Sequence, residues 1–287
     1  MSDDSAASPP VTPGARPLAD STPAPDDDPG LDPTLAPAQA VALDSADGGR
    51  PHGIPLGARL AALVEVVLCS SIPTQVAITL ALSAFGWRPI EEDGGLSFRF
   101  VVALSLADTA LLIGLMAALL RARGERPSSL WLGARPPGRE AMLGLLSIPG
   151  IFVVVVLLLN ALRVLAPGLR SPDGNPLEQM LPGEAGSVAL FGLVVILAGG
   201  VREELQRAFL LHRVEQYLGG TTVGVLVLSV AFGLGHFVQG WHAVLTTGLL
   251  GMAWAIVYVR RRSSVGPVVS HAGFNALEVL RVSLMGQ

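Results

Sequence analysis

Apolar positions along this chain do not alternate with polar ones. They gather into long runs separated by short polar or glycine-bearing breaks. From about residue 58 onward the runs predict seven helices, at about 58–86, 98–122, 140–166, 187–217, 221–238, 242–262 and 265–284. Most are close to the ~20 residues that cross the hydrocarbon of a bilayer. The fold class expected is therefore all-α: a polytopic transmembrane helical bundle of about seven membrane helices. The preceding stretch differs in kind. Residues 1–52 are rich in Pro, Ala and Asp ("STPAPDDDPGLDPTLAP", Ser21 to Pro37) and lack periodic hydrophobicity, so a disordered tail is expected there. Residues 53–139 then hold the N-terminal membrane helices and an arginine-rich loop, and residues 140–287 a second membrane domain. No short apolar segment with basic flanks starts the chain, so a cleavable signal peptide is not expected.

Composition sharpens this picture. The chain is 51% hydrophobic and 15% charged, against about 25% charged for a soluble domain. The net charge of −4 comes largely from the acidic tail, and nothing marks a nucleic-acid surface. Every basic residue is arginine. The single cysteine, Cys69, excludes an intrachain disulfide and a thiolate metal cluster. The loop from Arg121 to Arg139 and the Arg260–Arg262 turn are rich in arginine, which places both on the cytoplasmic side. The acidic "IEEDGG" (Ile90 to Gly95) and the loop from Ser171 to Ser187 then lie outside. The expectation is an integral protein of a bacterial cytoplasmic membrane with a cytoplasmic N-terminus.

Ionisable groups inside apolar helices are costly and mark functional sites by default. Three polar sites stand out. In "GGVREELQRAFLLHR" (Gly199 to Arg213), Glu203 and Arg207 share a helix face at i, i+4, with Glu204 about 100° away. "AFGLGHFVQGWH" (Ala231 to His242) contains Phe232 and His236 at i, i+4, and "SHAGFNALE" contains His271 and Asn275 at the same spacing. Each alone has a bland reading, as a helix end at the water edge or as interhelical hydrogen bonding. Together they say more. A hairpin folded at Gly219–Gly220 brings Glu203 and His236 level, ~24 Å from the turn. A carboxylate level with an imidazole is the composition of a water-activating site. His271 reaches that depth only if the fourth and fifth helices project past the inner face. "FVQGW" (Phe237 to Trp241) would then be buried, non-helical chain beside a polar cavity open to the cytoplasmic side. Other polar residues have plainer expectations: Glu65 snorkels near its helix end, Asp108 pairs with an arginine or lines the cavity, and Asn160 lies within an apolar helix. His212 and His242 are interfacial, and Trp87, Trp131 and Trp241 form an aromatic belt.

In this order the three sites resemble the CAAX prenyl protease and bacteriocin-processing family of intramembrane proteases, also called CPBP or Abi. Its signature is EExxxR, then FxxxH, then HxxxN, on successive helices. "FGLGH" and "HAGFN" match the last two in full. "EELQR" departs from the first, because Arg207 stands one residue too close to Glu203. Aligned on the arginine, the two glutamates fall on Arg202 and Glu203; aligned on the glutamates, they fall on Glu203 and Glu204. The resemblance covers about residues 140–285. It implies peptide-bond hydrolysis in or near the membrane, on a membrane-associated protein or peptide. Glu203, or second Glu204, would be the base, and His236 would hold water or a metal. His271 and Asn275 would donate to the oxyanion, and Arg207 would orient the carboxylates. It also implies a divalent metal, zinc being the expected ion, on Glu203, His236 and His271. A metal-free glutamate site is the other possibility, since neutral asparagine is an uncommon zinc ligand. Two further functions remain in view. One is a non-catalytic scaffold or bacteriocin-immunity protein on the same fold. The other is a proton-coupled carrier using Glu65, Asp108 and Glu203, disfavoured because no internal repeat is visible.

Overall fold

A computed structural model describes residues 53–92, 94–169 and 184–285. The expected disordered tail and most of the loop from Ser171 to Ser187 lie outside the described residues. Within them the chain is helical: α1 (Leu56–Leu68), α2 (Ile72–Ala84), α3 (Phe98–Ala122), a short α4 (Pro127–Trp131), α5 (Pro137–Leu165), α6 (Ala185–Leu218), α7 (Gly220–Leu234), α8 (Trp241–Arg261) and α9 (Val265–Met285). Four of these, α3, α5, α6 and α8, are long and apolar enough to cross a membrane by themselves. Counting α1 and α2 as one bent span makes five. α7 is apolar but has only 15 residues.

The first predicted helix, at about 58–86, is two helices bent by 43°. Ser71 lies between them in the left-handed region at φ 71°. Pro73 follows in the first turn of α2, where a missing N–H costs nothing. The break thus falls where the local backbone is least able to continue a helix. α6 departs from regular geometry in two wide π-helical stretches, at Val195–Arg202 and at Val214–Leu218. Such turns insert an extra residue and recur at functional sites. Gly219 (φ 152°) and Gly220 (φ 83°) then reverse the chain into α7. The anticipated hairpin register holds, because the Arg207 guanidinium lies 4.4 Å from the centroid of the Phe232 ring. Each of these residues is 12 positions from its own glycine of the turn.

Packing explains which faces are buried. Cys69, Leu112, Met116, Leu120 and Phe209 form one core cluster joining α1, α3 and α6. Ala208, Leu211, Val225, Ala255 and Tyr258 join α6, α7 and α8. α9 packs along α5 and the first π-helical stretch of α6. The leucines and valines left exposed lie on outer faces, such as Leu146, Val153 and Leu157 of α5. α4 ties the arginine-rich loop to the bundle. The Trp131 indole donates to the Leu205 carbonyl at 3.2 Å, and the Trp131 carbonyl accepts from the Ser264 amide at 2.8 Å. Trp131 is therefore a packing residue, while Trp87 and Trp241 are exposed as a belt requires.

One expectation about charges is corrected here. Glu65 does not snorkel. It is buried and pairs with Arg123 at 2.7 Å and Arg213 at 2.5 Å. His212, at the same helix ends, bonds Glu125 at 2.5 Å, and Glu125 also holds Arg213 at 2.6 Å. The explanation is common to both. The α1, α3 and α6 ends meet there, so groups that would otherwise reach water find opposite charges first.

Candidate active site

The local chain path decides what converges. α6 and α9 run antiparallel and approach closely because α6 offers Gly199 and Gly200 at the contact. A Cβ on Gly200 would overlap Ala272, with its Cα at 2.6 Å, and one on Gly199 would meet the Asn275 amide. This close seam sets His271 beside the first regular turn after the Val195–Arg202 stretch, where Glu203 and Glu204 project. Gly200→Ala is accordingly expected to force α6 and α9 apart. The expected destabilisation is about 1–3 kcal/mol, the usual range for overpacking, measurable as a lowered thermal midpoint in detergent. An unchanged midpoint would mean that the seam is looser than it stands here.

His271 is the centre of the arrangement. It is buried, and its ring stacks on the Trp254 indole at 3.9 Å and 17°. Its Nδ1 is 2.8 Å from Glu204 Oε1, and its Nε2 is 3.9 Å from Glu203 Oε2. Because Nδ1 faces a carboxylate it carries the proton, leaving Nε2 directed toward Glu203. Trp254 is itself fixed: its indole N–H donates to Ser270 at 3.1 Å, and Ser147 donates to the same hydroxyl at 2.9 Å.

The two glutamates differ sharply. Glu204 is 2% exposed, bonded to the Arg207 guanidinium and to His271. Arg207 in turn lies over the rings of Phe232 and Trp254. Arg207 therefore orients Glu204 alone, at i, i+3, and not both carboxylates as the resemblance implied. Glu203 is held instead by Arg202 at 3.1 Å and keeps 17% of its side chain exposed.

His236 lies just beyond the end of α7, immediately before the Phe237–Trp241 connection, expected to be buried and non-helical. That connection is a single 3₁₀ turn, Phe237–Gln239, closed by Gly240 at φ 94°, and its Phe237, Val238 and Trp241 are exposed rather than buried. α7 ends at Leu234 rather than near residue 238. The His236 Nδ1–H donates to the Phe232 carbonyl at 2.9 Å. Its ring lies 4.8 Å from that of Phe232, which also lies 6.1 Å from the His271 ring. One phenyl ring thus links the two imidazoles. Asn275 sits a turn further along α9, with its amide donating to the Val195 carbonyl at 3.4 Å. So Glu203, Glu204, Arg207 and His271 are brought together directly, His236 through Phe232, while Asn275 is engaged elsewhere. His242, placed at an interface by its position, has its Nε2 buried without a hydrogen-bond partner among the described residues.

Among the described residues no three His, Cys, Asp or Glu side chains form a cluster able to hold a metal ion. Glu203, His236 and His271, the expected ligand set, are not gathered as such. Phe232 stands between the two histidine rings, and no chemical step below passes through a metal.

Sequence reasoning passed over Arg202 and Trp254. Arg202 was weighed only as an alignment alternative for a glutamate. Its place beside Glu203 was the available signal. Nothing in the spacing pointed to Trp254.

Residues 185–277 match a family model described as Type II CAAX prenyl endopeptidase Rce1-like. This segment runs from α6 into α9 and contains Glu203, Glu204, Arg207, His236, Trp254, His271 and Asn275. No curated protein and no solved structure matches the chain.

Proposed function

We propose that this chain, whose residues 185–277 match a Type II CAAX prenyl endopeptidase Rce1-like family model, is an endopeptidase that hydrolyses a peptide bond of a membrane-associated protein or peptide. The observation that carries the reading is His271, stacked on Trp254 and flanked by two carboxylates of opposite character. Glu204 is locked by Arg207 and serves to hold the imidazole. Glu203 remains partly open and is the base. The 3.9 Å between Glu203 Oε2 and His271 Nε2 leaves room for one water at ~2.8 Å from each, an ordinary hydrogen-bond length.

Glu203 takes a proton from that water while the water oxygen forms a bond to the peptide carbonyl carbon. Negative charge develops on the carbonyl oxygen. With their Nδ1–H groups bonded to the Phe232 carbonyl and to Glu204, His236 and His271 stabilise it through Nε2 only as the doubly protonated imidazolium, in which both ring nitrogens donate. The C–N bond then breaks, and the proton held by Glu203 passes to the leaving amine. Asn275 joins as an oxyanion donor only by giving up its contact with the Val195 carbonyl. The α1–α2 pair, α3, α5, α6, α7, α8 and α9 make seven spans, with the arginine-rich ends of α3 and α8 on the cytoplasmic side.

The test uses purified protein in phospholipid vesicles and an internally quenched fluorogenic peptide whose apolar half partitions into the bilayer. Cleavage is expected, and dialysis against a chelator is expected to leave its rate unchanged. Loss on chelation with recovery on adding zinc would restore the metal reading. Absence of any cleavage would favour the non-catalytic scaffold.

A further inference from the structure

Asp108 of α3 stands outside the family-matched segment and is not part of the chemistry above. It is 1% exposed and lies inside an apolar helix, where an isolated carboxylate is very unfavourable. Its partners show how it is tolerated. Arg202 Nη1 donates to Asp108 Oδ2 at 2.6 Å, the Thr74 hydroxyl donates to Oδ1, and the Gln75 amide reaches Oδ2 at 3.4 Å. The same Arg202 Nη1 donates to the Ser71 hydroxyl at 2.9 Å, and its Nε to the Ala198 carbonyl at 3.2 Å. Its remaining nitrogen, Nη2, reaches Glu203 Oε1 at 3.1 Å. Gln206 closes the network, donating to Ser71 at 3.0 Å and to the Cys69 carbonyl at 2.7 Å.

One planar guanidinium therefore spans two carboxylates, and every contact on its far side lies on α3 or on the break between α1 and α2. A fork-shaped cation can do this because its donors are fixed relative to one another; a lysine ammonium cannot. Glu203 Oε1 is drawn toward Arg202, which leaves Oε2 as the oxygen facing His271. We infer that Arg202, anchored by Asp108 and Ser71 at the α1–α2 break, is a positioning residue that sets which oxygen of Glu203 is presented to the water. The N-terminal helices thereby take part in the site although they carry no group that touches substrate. This rests on the hydrolytic reading of Glu203.

Arg202→Gln alone would leave Asp108 charged and buried, so loss of folding would obscure the result. The informative variant is the neutral pair, Asp108→Asn with Arg202→Gln, which removes both charges and retains hydrogen-bonding groups of similar size. In the vesicle assay it is expected to keep a wild-type thermal midpoint and a KM within about twofold, while kcat falls about tenfold or more. Should the pair fail to fold, Arg202→Lys carries the test. It keeps the charge opposite Asp108 without the fork, and the same fall in kcat at unchanged KM is expected. Wild-type kcat in a folded neutral pair, or in Arg202→Lys, would show Arg202 to be only a counter-ion and overturn the inference. Wild-type protein that does not cleave would instead refute the hydrolytic reading itself, which separates the two failures.

Discussion

Glu203→Gln is expected to lower kcat by roughly a thousandfold, within the range that a positioned general base supplies, and to leave the thermal midpoint close to wild type. The amide keeps the size of the side chain and can still accept from Arg202, so the contact at 3.1 Å survives. What it cannot do is take a proton from water. Glu204→Gln should behave differently. Glu204 is fully enclosed and anchors both Arg207 and His271, so its neutralisation leaves a buried guanidinium without a counter-charge. The expected result is a lowered thermal midpoint together with lost activity. Peptide cleavage and thermal unfolding measured on both variants separate base from anchor. The opposite pattern, with Glu204→Gln stable and inactive and Glu203→Gln active, would exchange their roles.

Arg213→Met is expected to have the largest effect on stability. Arg213 is 0% exposed and lies between Glu65 and Glu125. Removing one partner of a buried ion pair costs about 3–5 kcal/mol, because the remaining charge stays desolvated. Here the lower end applies, since Glu65 retains Arg123 and Glu125 retains His212. Burial acts to raise the pKa of Glu125, but the His212 and Arg213 contacts outweigh it and hold the carboxyl below its ordinary range. The stability it contributes is therefore complete above the ordinary carboxylate pKa and is lost as pH falls through the lowered one. Thermal unfolding in detergent at neutral pH measures the loss. A shift of the size of an exposed ion pair, below about 1 kcal/mol, would contradict this account of the cluster.

Much of the helical layout was legible in the chain because apolar runs bounded by glycine or charge are a strong signal. The turns at Gly219–Gly220 and Ser263–Ser264 followed from it, whereas α7 stops at Leu234, short of the end its apolar run suggested. The break at Ser71 was less so, since a left-handed serine leaves no distinct mark and Pro73 is compatible with a helix start. The π-helical stretch at Val195–Arg202 could not be read from a pattern that assumes 3.6 residues per turn. Helix counting put Arg207 on the face of Glu203, but the folded chain pairs it with Glu204 and gives Glu203 to Arg202. Glu65, Asp108 and His212 illustrate a second limit. A charge in an apolar run announces that it needs a partner; which partner depends on helix packing, and those lie 58, 94 and 87 positions away in sequence. Trp254 shows a third, because stacking on His271 arises from the α8–α9 approach and has no periodicity.

The most direct measurement is a single-turnover cleavage of the vesicle-bound peptide in ¹⁸O-water, with hydroxylamine present and the products read by mass spectrometry. Direct attack by water activated at Glu203 predicts one ¹⁸O atom in the newly formed carboxyl group, no hydroxamate product, and labelled product from Glu203→Gln appearing roughly a thousandfold more slowly. A hydroxamate at the cleavage site would reveal a covalent acyl-enzyme, and labelled product from Glu203→Gln at the wild-type rate would show that another group activates the water; either contradicts the account.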